Sequence, residues 1–313
     1  MYKITRRVFD LSRRLAGLFQ GRTTANDWET GMALAEDSVA SIVDGSALPL
    51  AGEVALVTGS GRGLGRAIAE KLNSLGAHIV LHDINEDAPA RFGEAESLSA
   101  LAKALRSDTA EAVAVTGDVS NDVAVDELVA RAQKMLGPIS ILVNCAGGDI
   151  GADGNKPSPS SPTNFKLEDV HAVMNRNLIG TMLMCRAVAP RMAEENKGSI
   201  INIGSILAHR GGSIEIGYAC AKAAIVHYTR CLASELRESG VRANVISPGP
   251  TKTARFLATR ETSAAMHNEG PSLIRYAHPA EVAAAVSFFA GPSSRFISGQ
   301  VMLVDGADGL YAA

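Results

Sequence analysis

The sequence predicts an α/β fold, a doubly wound parallel sheet of about seven strands in a single domain with an N-terminal helical extension. Three observations carry that expectation. Short, mostly β-branched runs recur from residue 53 onward, helical patterns separate most of them, and the first run leads into a glycine-rich turn that opens a helix.

The runs are EVALVT (53–58), HIVLHD (78–83), AVAVTGD (112–118), ISILVN (139–144), SIINIGS (199–205), VRANVIS (241–247) and QVMLVD (300–305). They suit strands buried on both faces. Between them, LGRAIAEKLNSLG (64–76) and VAVDELVARAQKMLG (123–137) repeat apolar residues at helical spacing. Alternation of strand and helix implies right-handed crossovers, with a ligand crevice at the carboxyl ends of the strands.

Two stretches at those ends break the rhythm. GGDIGADGNKPSPSSPTNF (147–165) is rich in Gly, Pro and Ser, and GPTKTARFLATRETSAAMHNEGPSL (249–273) lacks strong apolar periodicity. Connections this long inside a domain are expected to be binding loops or lids, and the second is read as a substrate lid.

Residues 1–48 differ from the rest and are expected to form an extension to the main domain, 49–313. Ile4, Val8, Leu11, Leu15 and Leu18 recur at helical spacing, while Lys3, Arg6, Arg7, Arg13, Arg14 and Arg22 take other faces, so the opening reads as a basic amphipathic helix. It could dock on the main body or a partner subunit, serve as a transit peptide, or lie on a membrane surface. Asp10 and the lack of an apolar signal core weigh against the last two.

With 46% hydrophobic and 20% charged residues and a net charge of -3, the composition is that of a soluble globular protein without the basic footprint of a nucleic-acid binder. No apolar run approaches the roughly 20 residues of a membrane span. Cys145, Cys185, Cys220 and Cys231 show neither metal-ligand spacing nor the density of a disulfide scaffold. They read as small buried apolar residues in a reducing, cytoplasmic setting, and no metal is expected.

The turn after the first run is TGSGRGLG (58–65). Gly59, Gly61, Gly63 and Gly65 allow a sharp turn and close approach to a pyrophosphate, which the following helix N-terminus stabilises. Arg62 and Leu64 complete the loop. The spacing departs from G-x-G-x-x-G, and no Gly-Lys-Ser/Thr closes it as in a phosphate loop of the Walker type. About 20 residues on stands Asp83, whose carboxylate would accept both ribose hydroxyls of NAD and repel the 2′-phosphate of NADP. Arg62 could pair with that phosphate, but a carboxylate beside a dianion costs more than a solvated arginine gains, so NAD is expected over NADP.

In YACAK (218–222), Tyr218 and Lys222 stand at i and i+4 and so on one helix face. The ammonium is expected to lower the phenol's pKa from about 10 toward working pH, making it a usable acid or base. Ser205, closing the fifth run, could hydrogen-bond an oxygen whose charge develops in the reaction. Each of these residues has a bland alternative when taken singly, as a solvated lysine, a strand-end cap or a helix amide.

Taken in order, TGSGRGLG, NCAG (144–147), NLIG (177–180), Ser205, YACAK and SPGP (247–250) resemble the short-chain dehydrogenase/reductase family across about residues 49 to 310. The resemblance implies a Rossmann-type fold and hydride transfer between a nicotinamide and a carbonyl or alcohol carbon. It implies Tyr218 as general acid/base, Lys222 as its partner that also holds the nicotinamide ribose, Ser205 as substrate-oxygen anchor, and Asn177 as holder of a proton-relay water. Asp118 and Val119 would bracket the adenine, Asn144, Ala146 and Gly147 would line the cofactor floor, and Pro248, Gly249 and Thr251 would complete the cofactor site. The chain departs from the family in Cys145, where a second Asn is usual, and in Gly204, where Ser is frequent.

Asp149, His209, Arg210, Glu215 and Thr253 are expected near the pocket. That polar set favours a sugar, sugar acid or polyol over an apolar substrate. Reduction of a 3-oxoacyl thioester with NADPH is the alternative activity, and a dinucleotide sensor without turnover is the alternative class. Relatives of this kind suggest a homotetramer or dimer, with the C-terminal strand at an interface.

Overall fold

The computed structural model describes residues 48–310; the basic helix expected near the N-terminus lies outside them. Seven strands, all parallel, form one sheet: β1 (Val54–Thr58), β2 (His78–Asp83), β3 (Ala112–Thr116), β4 (Ile141–Asn144), β7 (Ser199–Ile203), β8 (Arg242–Pro248) and β9 (Val301–Val304), in the order β3-β2-β1-β4-β7-β8-β9. A hairpin of β5 (Ser160–Ser161) and β6 (Asn164–Phe165) stands apart. The fold is of the Rossmann type, as the strand runs predict.

Alternation along each strand builds two cores. On one face Ala55, Val57, Ile79, Leu81, Ile201 and Ile203 pack against α1 (Gly63–Ser74), α2 (Leu98–Leu105) and α8 (Pro279–Ala290). On the other, Val54, Leu56, Val80, Leu142 and Ile200 pack against α3 (Asp122–Leu136), α5 (Gly180–Glu194) and α6 (Ile216–Glu235). Each such Ile or Leu, taken fully out of water, contributes roughly 1.5–3 kcal/mol before the entropy of ordering it.

Two expectations need correction. The run QVMLVD is not buried on both faces: β9 is half-exposed throughout, because it is an edge strand with a single neighbour, β8. The cysteines are free but not uniformly buried. Cys185 is buried and Cys145 half-buried, whereas Cys220 and Cys231 are exposed, since they fall on the solvent side of α6.

The chain order reverses between β1 and β4, which opens a crevice at their carboxyl ends. Thr58 closes the floor: its hydroxyl accepts from the N–H groups of Cys145 and Ala146, both at 3.0 Å. Beneath that crevice, Asn144 donates to Asn202 at 2.8 Å, Asn202 donates to Thr229 at 2.8 Å, and Thr229 donates to the Ile225 carbonyl at 2.7 Å. The sheet is thereby tied to α6.

The 147–165 connection is fastened rather than loose. Ala152 N–H donates to Asp169 on α4 (Leu167–Met174) at 2.8 Å, and Arg176 donates to the Ile150 carbonyl at 2.6 Å. The 249–273 connection contains α7 (Ala254–Thr259), which overhangs the crevice.

Candidate active site

A cleft of about 1700 Å³ runs along the carboxyl ends of the strands. Gly59, Arg62, Gly63, Leu64 and Gly65 line one end, with Asp83, Asp118 and Val119 beside them. Ser205, Tyr218 and Lys222 line the other, with Ala146, Gly147, Pro248, Gly249 and Thr251 between.

The glycine turn fits a dinucleotide phosphate. A Cβ at Gly65 would overlap the Gly59 carbonyl, and one at Gly59 (φ +67°) would stand 2.8 Å from Ala146 Cα. The backbone therefore approaches as closely as side-chain-free residues allow, and the α1 N-terminus lies at the cleft. Gly61 serves from behind: its N–H donates to Asp83 Oδ2 at 3.2 Å, while Ile84 N–H donates to Oδ1 at 2.8 Å. Each carboxylate oxygen keeps a lone pair for a ribose hydroxyl. Asp118 holds Ser120 through both the Ser120 N–H and its hydroxyl, at 2.9 and 2.7 Å.

At the other end, Ser205 stands beside Tyr218, where its hydroxyl favours the ionised phenol. Ser205 is 8% exposed and caps a short turn, accepting from Leu207 N–H at 3.2 Å. Lys222 is 4% exposed and donates to the Ile203 carbonyl at 2.7 Å, with its ammonium 5.5 Å from the Tyr218 ring centroid. The expected lowering of the phenol pKa does not occur. Burial pushes Tyr218 up to about 12 against the opposing pull of Ser205, and burial pulls Lys222 down to about 8. Both groups sit in a poorly solvated wall that disfavours charge on either one, and the ammonium is directed at a strand carbonyl rather than at the phenol oxygen.

Besides Gly61, three sequence-predicted residues do not face the cleft. Asn144 turns into the core toward Asn202 and Cys185. Asn177, in a π-helical turn (Asn175–Ile179), is fully buried, and its amide accepts from Gly148 N–H at 2.9 Å while donating to Gly148 and Val173 carbonyls at 3.0 and 2.8 Å. Its side chain pins the loop beside Lys222 and has no donor left for a water. His209 turns away to pair with Ser247 at 2.9 Å. Gly204 has a packing reason: a Cβ there would stand 2.5 Å from Ser247 Oγ.

The substrate end of the cleft holds Asp149, Arg210, Glu215 and Thr253, as expected, and also Lys156, Arg255, Phe256 and Arg260. Glu215 is 3% exposed and sits at φ 60°, a left-handed conformation costing a non-glycine residue roughly 1–2 kcal/mol. Its carboxylate holds Lys156 at 2.8 Å and Arg260 at 3.2 Å. Asp149 is pushed up to about 6 by burial and by the charge of Glu215. Arg255 lies against Gly148, and its pKa is lowered by burial and by Arg62, Arg176 and Arg260. Arg255, Phe256 and Arg260 carry no signal in the sequence because the lid stretch has no periodicity to say which side chains turn inward, and Lys156 lies in the Gly-, Pro- and Ser-rich 147–165 connection, which has none either. Among the described residues no group of His, Cys, Asp and Glu could hold a metal ion, and no helix is long and apolar enough to cross a membrane.

Residues 59–307 match the family model described as enoyl-(acyl carrier protein) reductase. A 3-oxoacyl-[acyl-carrier-protein] reductase from Synechocystis sp. is 34% identical over 82% of this chain and 97% of its own length. The chain belongs to the short-chain dehydrogenase/reductase family. A solved short-chain dehydrogenase/reductase superposes with a TM-score of 0.69 at 31% identity, covering 82% of this chain and 97% of the other. A 2,3-dihydro-2,3-dihydroxybenzoate dehydrogenase from Bacillus subtilis is 32% identical over 82% of this chain and 95% of its length. This short-chain dehydrogenase/reductase is accordingly an oxidoreductase, and the family works with a nicotinamide dinucleotide.

Proposed function

We propose that the protein transfers a hydride between NAD(H) and the secondary alcohol or ketone of a small polar substrate bearing an anionic group. The observation that carries this reading is the meeting of Ser205, Tyr218 and Lys222, from β7 and α6, in the same cleft as the glycine turn. The bound nicotinamide supplies or accepts the hydride. In ketone reduction, Tyr218, still protonated with a pKa pushed up to about 12, would donate its proton to the carbonyl oxygen of the substrate. Ser205 donates a hydrogen bond to that oxygen, and Lys222 places positive charge beside it.

Charge balance supports an anionic substrate. Around the substrate end stand Lys156, Arg210, Arg255 and Arg260 against Asp149 and Glu215, with Arg210 paired to Asp308 at 3.1 Å. Glu215 answers Lys156 and Arg260, whereas among the described residues no carboxylate lies within ion-pair distance of Arg255. A guanidinium in low-dielectric surroundings favours a carboxylate partner, which it can take bidentately. Asp83 at the end of β2 supports NAD over NADP. We further propose that the active form is a homo-oligomer, with half-exposed β9 at its interface.

The test is turnover by the full chain, followed at 340 nm, over hydroxy acids, sugar acids, polyols and neutral alcohols with NAD and NADP at equal low concentration. The reading expects NAD to be faster and acids to be preferred. Faster turnover with NADP would overturn the cofactor assignment, and no turnover by a folded chain that binds NADH would overturn the enzymatic one. The second reading, NADPH-dependent 3-oxoacyl thioester reduction, is favoured by the name of the Synechocystis relative and by Arg62 in the loop. A 3-oxoacyl thioester in the same panel separates the two.

A further inference from the structure

Helix α1 begins without a cap of its own. Its N-cap residue is Arg62, which makes no side-chain capping bond, and its first turn contains no acid. A cation at this end opposes the helix dipole, so the local sequence leaves the N-terminus short of negative charge. The missing charge comes from elsewhere: the Glu94 carboxylate accepts from Gly63 N–H at 2.7 Å, across 31 residues of sequence.

Glu94 is delivered by the connection between β2 and α2, a strap that turns through Pro89–Phe92 and reverses at Gly93, φ 67°. Two arginines, Arg62 within the glycine turn and Arg66 just after it, fasten the strap. Arg66 donates to the Glu94 carbonyl, and Arg62 donates to the Ala88 carbonyl at 3.4 Å while its guanidinium lies 5.0 Å from the Phe92 ring centroid. Glu94, Phe92 and Gly63 line the same cleft.

From this geometry we propose that Glu94 is an internal competitor for the dinucleotide: its carboxylate holds the Gly63 N–H that the pyrophosphate takes, so cofactor binding is an exchange of one anion for another. The inference rests on the assignment of the cleft as a dinucleotide site and goes beyond it. Gly63 offers one N–H, and two anions at one helix N-terminus repel each other. Binding must therefore break the Glu94 contact first, which weakens cofactor affinity and speeds cofactor release.

The test uses the full chain and its variants Glu94→Ala and Glu94→Gln, with Glu96→Gln, an exposed acid on the same strap, as a control for general charge. Binding of ADP-ribose and of adenosine is measured by calorimetry, with circular dichroism to verify folding. The exchange predicts ADP-ribose binding about tenfold tighter or more in Glu94→Ala, an intermediate gain in Glu94→Gln, and no gain in Glu96→Gln. Adenosine, which has no phosphate, should bind all four proteins equally. Unchanged or weaker ADP-ribose binding in both Glu94 variants overturns the exchange while leaving the dinucleotide site intact. An equal gain in Glu96→Gln overturns it in favour of bulk electrostatics. A chain that binds no ADP-ribose with or without Glu94 overturns the site assignment, and the inference with it.

Discussion

Lys222 directs its ammonium to the Ile203 carbonyl at 2.7 Å, although the Tyr218 ring centroid lies only 5.5 Å away. The lysine thus reports the end of β7 to the helix that carries the phenol. Its burial pulls its pKa from the ordinary 10.5 to about 8. Between those values the unfolded chain binds more protons than the folded one, so stability rises with pH from about 8 toward 10.5 and is lowest below that window. The burial cost of the charged form is on the order of 3 kcal/mol. Urea titrations from pH 7 to 10 should show this slope in the wild type, and Lys222→Met should flatten it. The raised pKa of Tyr218 acts in the opposite sense only above 10, outside that range.

Tyr218→Phe removes the ionisable hydroxyl and little else. Turnover should fall by about 10³-fold while NADH binding, read from its fluorescence, stays within a few-fold of wild type. Full activity in a folded variant would remove the phenol from the proposed chemistry.

Ser205→Ala removes the hydroxyl that is proposed to hold the substrate oxygen and that favours the ionised phenol beside it. A loss of about 10²-fold in kcat is expected, together with a further upward move of the phenol's titration, because Ser205 now holds that pKa down. Ultraviolet difference titration of tyrosinate checks the second effect independently of turnover.

Arg255→Gln should lower kcat/KM for anionic substrates by about 10²-fold, and for their neutral amides by far less. Unchanged NADH affinity would place the loss on the substrate; a matching loss of NADH affinity would place Arg255 on the cofactor's phosphates instead.

Gly65→Ala should prevent cofactor binding or folding, since the added methyl overlaps the Gly59 carbonyl. Gly93→Ala is the contrast: nothing lies within 4 Å of the added methyl, and its cost, roughly 1 kcal/mol, comes only from φ +67°. Thermal denaturation of the two variants separates crowding from backbone strain.

The sheet and its chemistry-bearing ends were readable from the chain because both depend on short-range patterns. Seven runs of Val and Ile mark the strands, Gly59 to Gly65, Ser205 and Tyr218 sit where a strand or helix begins or ends, and Lys222 follows Tyr218 by one turn of α6. Side-chain direction was less readable. Asn144 shares its tetrapeptide with cleft-lining Ala146 and Gly147, yet strand alternation turns it into the core. Arg255 and Arg260 lie in a stretch without periodicity, so only the fold shows that they turn inward. Glu94 was invisible for a different reason, because its partner, Gly63, is a backbone group far away in sequence. The direction of the Tyr218 shift also needed the fold, since burial outweighs a neighbouring charge only when both can be placed.

The chain of donors from Asn144 through Asn202 to Thr229 and the Ile225 carbonyl has a one-way sense: Asn202 presents its oxygen to Asn144 and its nitrogen to Thr229, while Asn144 only donates and its own buried Oδ1 has no partner. A relay with a sense is broken by a helix that has slid or rotated by one position, because the Thr229 hydroxyl then leaves Asn202 Nδ2 and a second buried polar atom joins Asn144 Oδ1 without a partner. Greasy contacts alone would tolerate such a slip. The polar thread therefore acts as a gauge for the phase of α6, and so for where its phenol and amine emerge into the cleft.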